Sequence, residues 1–529
     1  MPNAPDRASY DVVVVGSGHN GLVAAAYLAK AGKSVLVLER NATLGGATAS
    51  KKVFPDYDAY LSSYSYLVSL FPKKIADDLT LRFETRQRRT ASFTPYHASD
   101  GSPRGLVISN VDEERSRESL RSLAGDQQWA DYQKLMELEL ALAAHVWPTL
   151  LQPLRSKRDF EAAMKTEVER EAWTSFVEEP LGRVIERYAH HDVLRGLLMT
   201  DGKIGVFTEP HDPSLLQNRC FLYHVVGGGD GEWRVPVGGM RSLVNALVLG
   251  GRGSGVEFLT SAEVKRVDLG PARHTVAFEN GEGEETLVEA EHVLVNAGPK
   301  TFARILGGEW HPEPTDEGSV IKINMLLKQL PKVLAQGVSS EEAFAGSFHI
   351  DEGYAQMQRS YETARGGVIP NPPPGEMYCH TLTDPSILGD DLRAKGFHTL
   401  TLFGLDMPYR LFAEDHDARR EQVLNLYLDG LDRVCEGSFR EWLALDRDGR
   451  PCIEIKTPQD LEQEIDLDQG NIFHNAPSWF YAESAEASGT WGVETAYPRV
   501  YLAGSAAHRG GAVSGIPGHN AAMCVLGRD

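Results

Sequence analysis

A glycine-rich turn between a buried strand and an Ala-rich helix constrains this chain more than any other feature. Residues 12–15 form an unbroken β-branched run, which is typical of a strand buried on both faces. The turn at residues 16–21 leads into a helical pattern over residues 22–31. A second short strand, residues 34–38, ends directly before Glu39. This order predicts the strand–turn–helix–strand unit that opens a Rossmann-type fold.

The turn has the spacing GxGxxG, and each glycine has a separate task. Gly16 permits the tight turn, Gly18 lets the backbone approach a pyrophosphate, and Gly21 lets the helix pack against the strand. The helix N-terminus offers N–H groups and the positive end of its dipole to phosphates. Glu39 follows Gly21 by 18 residues, where a carboxylate accepts hydrogen bonds from ribose hydroxyls and repels a 2′-phosphate. The motif therefore predicts a dinucleotide-binding site.

A second glycine pair distinguishes between dinucleotides. Gly45 and Gly46 follow Arg40 within the stretch ERNATLGGAT. Glycine at these positions lets the backbone lie against the second phosphate and the flavin side of a longer cofactor. An NAD domain has no need of that approach, so the pair favours FAD. The stretch resembles the extended FAD fingerprint of glutathione-reductase-like flavoproteins, in the branch that holds amine oxidases and phytoene desaturases.

The composition is typical of a soluble globular protein with two or three domains. Of 529 residues, 42% are hydrophobic and 24% charged, and the net charge of −21 argues against nucleic acid as a partner. The five cysteines form no CxxC pair, so neither a redox disulfide nor a metal site is predicted. A short polar N-terminus, residues 1–9, and the lack of a long apolar run predict a cytoplasmic protein without a transmembrane segment.

Helical and strand-rich blocks alternate along the rest of the chain. Residues 119–186 carry apolar side chains at helical spacing and are interrupted by prolines. Residues 255–297 form a strand-rich block that closes on a glycine turn. Near the C-terminus, a strand at residues 500–505 leads through a glycine-rich turn into an Ala-rich helix. This second strand–turn–helix unit is predicted to return to the cofactor.

Six separate motifs are spread over both ends and the middle of the chain. They are GSGHNGLVAAAYLAKAG, LERNATLGGAT, YHVVGGGDG with the following PVGGM, HVLVNAGP, GNIFH, and YLAGSAAHRGGAVSGIPGHNAA. Together they resemble the phytoene-desaturase-related FAD-dependent oxidoreductases, and the closest branch is that of pyridine nucleotide-disulfide oxidoreductase domain-containing protein 2. The resemblance implies an α/β fold in which a glutathione-reductase-like FAD-binding Rossmann domain is interleaved with an α+β substrate domain, as in the amine oxidase/phytoene desaturase type.

The resemblance also divides the chain and assigns the FAD contacts. The FAD-binding domain takes residues 1–75, 233–300 and 466–529, a helical substrate region takes residues 76–232, and the substrate domain takes residues 301–465. The contacts to ADP and pyrophosphate are Gly16, Gly18, Gly21, Glu39, Arg40, Gly45 and Gly46, with Val264 at the adenine, and further cofactor contacts in the same two stretches are Ser17, His19, Asn20, Ala47 and Thr48. The remaining cofactor contacts, mainly to flavin and ribitol, are Gly239, Met240, Ala297, Gly504, Ser505, Val513, Ser514, Gly515 and Ile516. Many relatives carry an acid in place of Ser505, and its hydroxyl can still hydrogen bond to ribitol or phosphate.

The catalytic candidates are polar side chains expected near the flavin, namely His474, His224 and Tyr64. His474 leads, because GNIFH precedes the last FAD motif and is expected to approach the active-site face. The alternative is a histidine that only hydrogen bonds within a packed loop.

The resemblance implies an enzyme that oxidises or desaturates a largely apolar small molecule by hydride transfer to flavin N5. The sequence shows no second nucleotide fingerprint, so oxygen or a quinone is the expected electron acceptor. Two alternatives stay open: an amine oxidase-type flavoenzyme, and a flavin-binding protein that binds or regulates a partner with little turnover. A homo-oligomer is compatible with the sequence.

Overall fold

A computed structural model of the chain describes residues 4–527. Residues 1–3 and 528–529, which belong to the first and last segments of the predicted FAD-binding domain, lie outside the described residues. The strands are β1 Ser9–Val15, β2 Val35–Glu39, β3 Thr85–Arg86, β4 Thr90–His97, β5 Pro103–Ser109, β6 Val235–Pro236, β7 Glu257–Thr260, β8 Glu263–Asp268, β9 His274–Glu279, β10 Glu285–Val295, β11 Ile321–Leu327, β12 Ser347–Ile350, β13 Gly375–Tyr378, β14 His398–Gly404, β15 Ile453–Lys456 and β16 Val500–Leu502. They form two large sheets and one short ribbon, β3-β6.

The helices cover the faces of both sheets. They are α1 His19–Lys30, α2 Lys73–Asp78, α3 Glu113–Ala124, α4 Gln127–Val146, α5 Lys157–Ala163, α6 Glu167–Trp173, α7 Leu181–Tyr188, α8 Asp192–Thr200, α9 Leu216–Val225, α10 Arg241–Gly253, α11 Pro299–Ile305, α12 Ser340–Phe344, α13 Tyr354–Arg365, α14 Asp390–Ala394, α15 His416–Asp432, α16 Pro458–Ile465 and α17 Ile516–Leu526. Within residues 4–527, every helix is too short or too polar to cross a lipid bilayer.

The first sheet contains the predicted Rossmann unit. Its parallel strands lie in the order β7-β2-β1-β10-β16, and β9 and β8 continue the sheet in antiparallel pairing from the first half of β10. Helices α1, α10 and α17 pack together on one face, and α11 lies against β8. Val12, Val13 and Val14 are fully buried, because parallel strands of this kind are covered on both faces. The predicted fold class, an α/β protein with a Rossmann domain, is confirmed.

The second sheet has the order β15-β11-β14-β13-β12-β4-β5. Its strands β4 and β5 come from residues 90–109, so the region predicted to be helical also supplies two strands. Strand β4 pairs in parallel with β12, and the rings of Phe93 and Phe348 meet edge to face at 4.8 Å. Strand β4 is therefore held by a partner more than 250 residues away, which local sequence patterns do not show.

The predicted helical block, residues 119–186, is confirmed as α3 to α7. Helix α4 ends at Val146, shortly before Pro148, and α7 begins directly after Pro180. Proline ends or starts helices because it has no N–H to donate and a fixed φ angle. The apolar faces of these helices pack over β5 and the end of β14 in one continuous core.

A buried ion pair joins this helical layer to the second sheet. Lys203 follows α8 and Asp406 follows β14, and their charged atoms lie 2.9 Å apart with exposures of 1% and 0%. The Lys203 ammonium also donates to the Thr208 carbonyl at 3.0 Å and faces the Tyr361 ring. A buried charge needs its partner, so this contact fixes the position of the helical layer.

We expect the Lys203→Met variant to lose about 3–5 kcal/mol of stability, because it leaves the Asp406 carboxylate buried without a counter-ion. The double variant Lys203→Met/Asp406→Asn is the control. Asparagine tolerates the left-handed backbone of Asp406 (φ 55°) and carries no charge. Thermal unfolding followed by circular dichroism should show the double variant recovering much of the loss. Equal losses in both variants would contradict this account.

Candidate active site

The predicted phosphate turn lies where the carboxyl ends of β1, β2 and β10 meet. The Gly16 N–H donates to the Leu38 carbonyl, and the Asn296 N–H donates to the Val15 carbonyl, both at 2.8 Å. The Asn296 side-chain amide donates to the carbonyls of Gly16 and Gly18 at 3.1 and 3.3 Å. One amide side chain thus holds the turn in place.

The glycines of the turn are required by close packing. A Cβ atom at Gly16, where φ is 90°, would lie 2.4 Å from the Asn296 carbonyl oxygen, and a Cβ at Gly21 would lie 2.5 Å from the Gly16 oxygen. At Gly504, a Cβ would lie 2.8 Å from the Asn296 side-chain oxygen. Asn296 was not predicted as a site residue. The signal was present, because it is the polar residue that ends the buried run HVLV.

A cavity opens directly in front of this turn. The predicted residues that line it are Gly16, Ser17, Gly18, His19, Asn20, Glu39, Arg40, Gly46, Ala47, Val264, Ala297 and Ser505. We call it the dinucleotide cavity. Of the other predicted contacts, Gly21, Gly45, Thr48 and Gly504 lie against these residues rather than on the cavity wall.

Three buried polar atoms of the dinucleotide cavity have no hydrogen-bond partner within residues 4–527. They are Nε2 of His19, Oδ1 of Asn20 and Nδ1 of His474. Burial lowers the pKa of both histidines to about 4, so both rings are neutral at physiological pH. Native structures leave few buried polar atoms unpaired. The donors and acceptors that remain here fit a polar ligand such as a dinucleotide.

Glu39 is held rigidly at the end of β2. Its Oε2 accepts from the Ser17 N–H at 2.9 Å and from the Ser17 hydroxyl at 2.6 Å, and its Oε1 accepts from the Asn41 N–H at 2.9 Å. A carboxylate has about four acceptor positions, so roughly one is left for a ligand hydroxyl. Glu39 therefore joins the turn to the second strand and also faces the cavity.

The second glycine pair lies directly on the first turn. Gly45 forms a β-bridge with Gly18, and its N–H donates to the Ser17 hydroxyl oxygen at 3.1 Å. A Cβ at Gly46 would lie 3.3 Å from the Gly18 Cα atom. The two glycine motifs thus form one continuous backbone surface.

Three of the remaining predicted contacts, Gly239, Met240 and Ile516, line two smaller cavities. Gly239 and Met240 line one of them, together with Ser62, Ser65 and Tyr66. The C-terminal residues 513–516 form the turn into α17, and Ile516 lines the other cavity beside Tyr223 and Arg509.

Left-handed backbone conformations of non-glycine residues occur on the loops that border these cavities. They are found at His474 (φ 68°), Arg509 (φ 59°) and Ala512 (φ 48°). Such conformations are unfavourable for residues with a Cβ atom and are retained where the surroundings enforce them, often at functional sites. Contacts with the surrounding protein, and not the backbone preferences of these residues alone, therefore set the conformation of the loops before and after β16.

Another cavity, of about 690 Å³, lies between the second sheet and the helical layer. We call it the large cavity. Strands β4, β12 and β13 form one wall, and helices α4, α8 and α9 form another. Tyr66 lines both this cavity and the smaller cavity that holds Gly239 and Met240. The size suits a small organic molecule.

The three catalytic candidates lie in different places. His474 lines the dinucleotide cavity, whereas His224 is buried in the wall of the large cavity. The Tyr64 hydroxyl hydrogen bonds to the Glu464 carboxylate of α16, and it is Tyr66 that lines the large cavity. The structure thus does not bring the three together, and their catalytic roles stay a prediction.

Lys322 is a buried charge that sequence analysis missed. It lies on β11 with 1% exposure, and its ammonium donates to the carbonyls of Ser62 and Ser65 at 2.9 and 3.4 Å. The same group lies 5.1 Å from the centre of the Tyr66 ring. Burial lowers the pKa of Lys322 to about 7. The available signal was a lysine inside the apolar run of residues 320–327.

Comparison with known structures supports the observed fold. Residues 14–74 match a family model described as an NAD(P)-binding Rossmann-like domain. Cyclohexylamine oxidase from Brevibacterium oxydans has a similar fold, with a TM-score of 0.54 and 16% identity over 98% of this chain and 99% of the oxidase chain. Fold and site together define a protein with a Rossmann-type nucleotide-binding domain.

Relatives in sequence identify the family. An uncharacterised protein of Mycobacterium tuberculosis is 42% identical over 98% of this chain and 97% of its own length. The rat pyridine nucleotide-disulfide oxidoreductase domain-containing protein 2 is 30% identical over 98% of this chain and 94% of its own length. The chain belongs to the family of pyridine nucleotide-disulfide oxidoreductase domain-containing protein 2, as its motifs predicted.

Lys322 makes stability depend on pH in a defined direction. Between pH 7 and pH 9 it is largely neutral in the folded protein and protonated in the unfolded chain, so stability rises with pH. The Lys322→Met variant lacks this gain. We expect the wild type to gain about 2–3 kcal/mol relative to the variant between these pH values. Urea denaturation of both proteins at pH 7 and pH 9 measures the difference.

The exposed Lys328, directly after β11, provides the control. We expect the difference between the wild type and Lys328→Met to be the same at both pH values. A difference between the wild type and Lys322→Met that does not change with pH would show that the buried lysine keeps an ordinary pKa.

Proposed function

We propose that this protein is an FAD-dependent oxidoreductase that oxidises or desaturates a small molecule with a largely apolar body. Bound FAD would supply a two-electron acceptor that takes a hydride at N5. We further propose that oxygen or a quinone removes the electrons, since the sequence carries no second nucleotide fingerprint. The observation that carries this proposal is Tyr66, which forms a shared wall between the large cavity and the cavity of Gly239 and Met240.

The connection between the cavities supports a long cofactor. Gly46 and Ala47 line the dinucleotide cavity, and the Ala47 carbonyl accepts from the Ser65 hydroxyl at 2.8 Å. Ser65 in turn lines the cavity that holds Met240. A ligand that starts at the phosphate turn and continues past Gly46 therefore reaches the wall formed by Tyr66. This order matches the ADP, pyrophosphate and flavin parts of FAD.

The residues of the large cavity would hold the substrate and exclude water. Trp129, Tyr132, Phe221 and Trp233 provide apolar surface for a carbon skeleton. The His224 Nδ1–H donates to the Cys220 carbonyl at 2.8 Å, and burial lowers its pKa, so the ring is neutral. The ring also hydrogen bonds to the backbone of Asp201, so His224 is held in place in the wall of the large cavity.

The purified protein is expected to contain FAD that can be reduced and reoxidised. The visible absorption bands of flavin should bleach with dithionite and return with air or a quinone, and acid release followed by chromatography should identify FAD. A colourless protein that does not take up FAD would contradict the proposal. Bands that bleach and do not return at a useful rate would favour the alternative of a flavin-binding protein with little turnover.

Close packing at Gly21 predicts a loss of cofactor in the Gly21→Ala variant. Alanine is favoured in helices, so any loss comes from the added methyl group against the Gly16 carbonyl. We expect FAD affinity to fall at least about tenfold, equal to about 1.4 kcal/mol. The matched control is Gly253→Ala in α10, where a Cβ has open space. This variant should keep its FAD, as measured by flavin absorbance per chain, and equal FAD content in both variants would count against the dinucleotide cavity as the FAD site.

A further inference from the structure

The large cavity contains carboxylate oxygens that the protein leaves unpaired. Oε1 of Glu139, Oε1 of Glu232 and Oε1 of Glu376 are buried and have no hydrogen-bond partner among the described residues, while Oε2 of Glu232 is ion-paired with Arg234 at 2.6 Å. They come from α4, from the loop before β6 and from β13, and all three residues line the cavity. Asp201, directly after α8, adds a fourth carboxylate to the lining. Four elements therefore direct acidic residues to one space.

Glu376 is the most deeply buried of these acids, with 2% exposure. The β-sheet register places it opposite His349 of β12. That histidine is already paired, because its Nδ1 lies 2.5 Å from a carboxylate oxygen of Glu352. Glu352 also accepts from the Thr200 hydroxyl at 2.6 Å. The nearest basic neighbour of Glu376 in the sheet therefore has its own acid.

Among the described residues that line the large cavity, Arg88 is the one permanent cation. Its Nε donates to the Trp233 carbonyl at 3.1 Å, and its Nη1 donates to the Ser347 hydroxyl at 3.0 Å. Both partners are neutral oxygens, so the guanidinium makes no close ion pair with the acids. Because Arg234 already pairs with Glu232, the Arg88 guanidinium faces the three remaining acids, Glu139, Asp201 and Glu376, and the cavity keeps an excess of acidic groups.

The protonation behaviour of the acids agrees with this arrangement. Burial raises the pKa of Glu376 and of Glu139 to about 8, far above the ordinary value near 4.3. Both acids are therefore largely protonated at pH 7, because burial disfavours the charged form, and for Glu376 it outweighs the opposing effects of His349 and Tyr378. A bound cation would supply the missing charge and lower both values again.

Aromatic rings stand beside the acids. Tyr66 and Tyr378 pack with ring centres 4.6 Å apart, and Trp129 stacks on Tyr132 at 6.1 Å. All four rings line the large cavity. Aromatic faces attract organic cations and also bury apolar carbon. Acids together with aromatic walls suit a molecule that has a positive nitrogen and a carbon skeleton.

We propose that the large cavity binds an organic amine in its ammonium form, with Glu376 accepting hydrogen bonds from the ammonium group and the aromatic walls holding the carbon skeleton. This inference rests on the proposed function and specifies its substrate class, in favour of amine oxidation. It accounts for buried acids that would otherwise destabilise the protein without a purpose.

The test measures binding separately from turnover. Three probes with the same skeleton, 4-phenylbutylamine, 4-phenylbutan-1-ol and 4-phenylbutanoate, are titrated into the FAD-loaded protein by calorimetry under argon. We expect the amine to bind at least about tenfold more tightly than the alcohol, and the carboxylate to bind most weakly. The Glu376→Gln variant should lower amine affinity at least about tenfold and leave alcohol affinity within about twofold.

Glu113→Gln provides the matched control, because Glu113 is an exposed acid at the rim of the same cavity. It should leave amine affinity unchanged within about twofold. If Glu376→Gln does not fold, Asp201→Asn tests the same prediction. Failure of the amine to bind below the millimolar range, equal binding of amine and alcohol, or an unchanged affinity in the variants that fold would overturn the inference.

The flavin absorbance of each sample separates this inference from the proposed function. If the protein holds FAD and shows no preference for the amine, the proposed function stands and the amine inference is overturned. If the protein takes up no FAD and still prefers the amine, the amine-binding site stands and the proposed oxidoreductase function is overturned.

Discussion

The packing of glycine backbone around Asn296 is the constraint on which the dinucleotide site depends. Its main chain continues β10, its side-chain amide holds the carbonyls of Gly16 and Gly18, and its other side lies against Gly504 after β16. Three strand ends and the start of α1 therefore share one small volume. Any side chain in that volume would separate the helix from the sheet, and the N–H groups of α1 would no longer face the cavity.

Buried ionisable side chains occur in two kinds of surroundings in this molecule. Lys203 and Asp406 lie close together and join two layers, so their charges are balanced inside the protein. Glu139 and Glu376 each keep an oxygen at the wall of the large cavity that has no partner among the described residues. Unpaired buried charge is costly, and the structural pair shows that this chain can neutralise charge where stability requires it. The unbalanced acids are therefore better understood as part of a binding site.

The sequence predicted those parts of the site that depend on local patterns. The strand at residues 12–15, the glycine turn and the acid Glu39 lie within one supersecondary unit, and the structure brings most of the assigned contacts to one cavity. Asn296 and Glu376 were missed because their roles come from pairing between distant strands. The sequence likewise does not show that Tyr66 lines the large cavity, since which of two nearby tyrosines faces a cavity depends on the path of a loop.

The long-range pairing of β4 with β12, and of β1 with β10 and β16, affects how the chain folds during its synthesis. Strand β4 can pair with β12 only after β12 has been synthesised. The sheet that contains β1 is likewise complete only when β10 and β16 are present. Contacts over such sequence distances form late and slow folding. During synthesis the N-terminal strand unit therefore leaves the ribosome long before its partners, with an apolar edge that has to stay protected until the last residues are added.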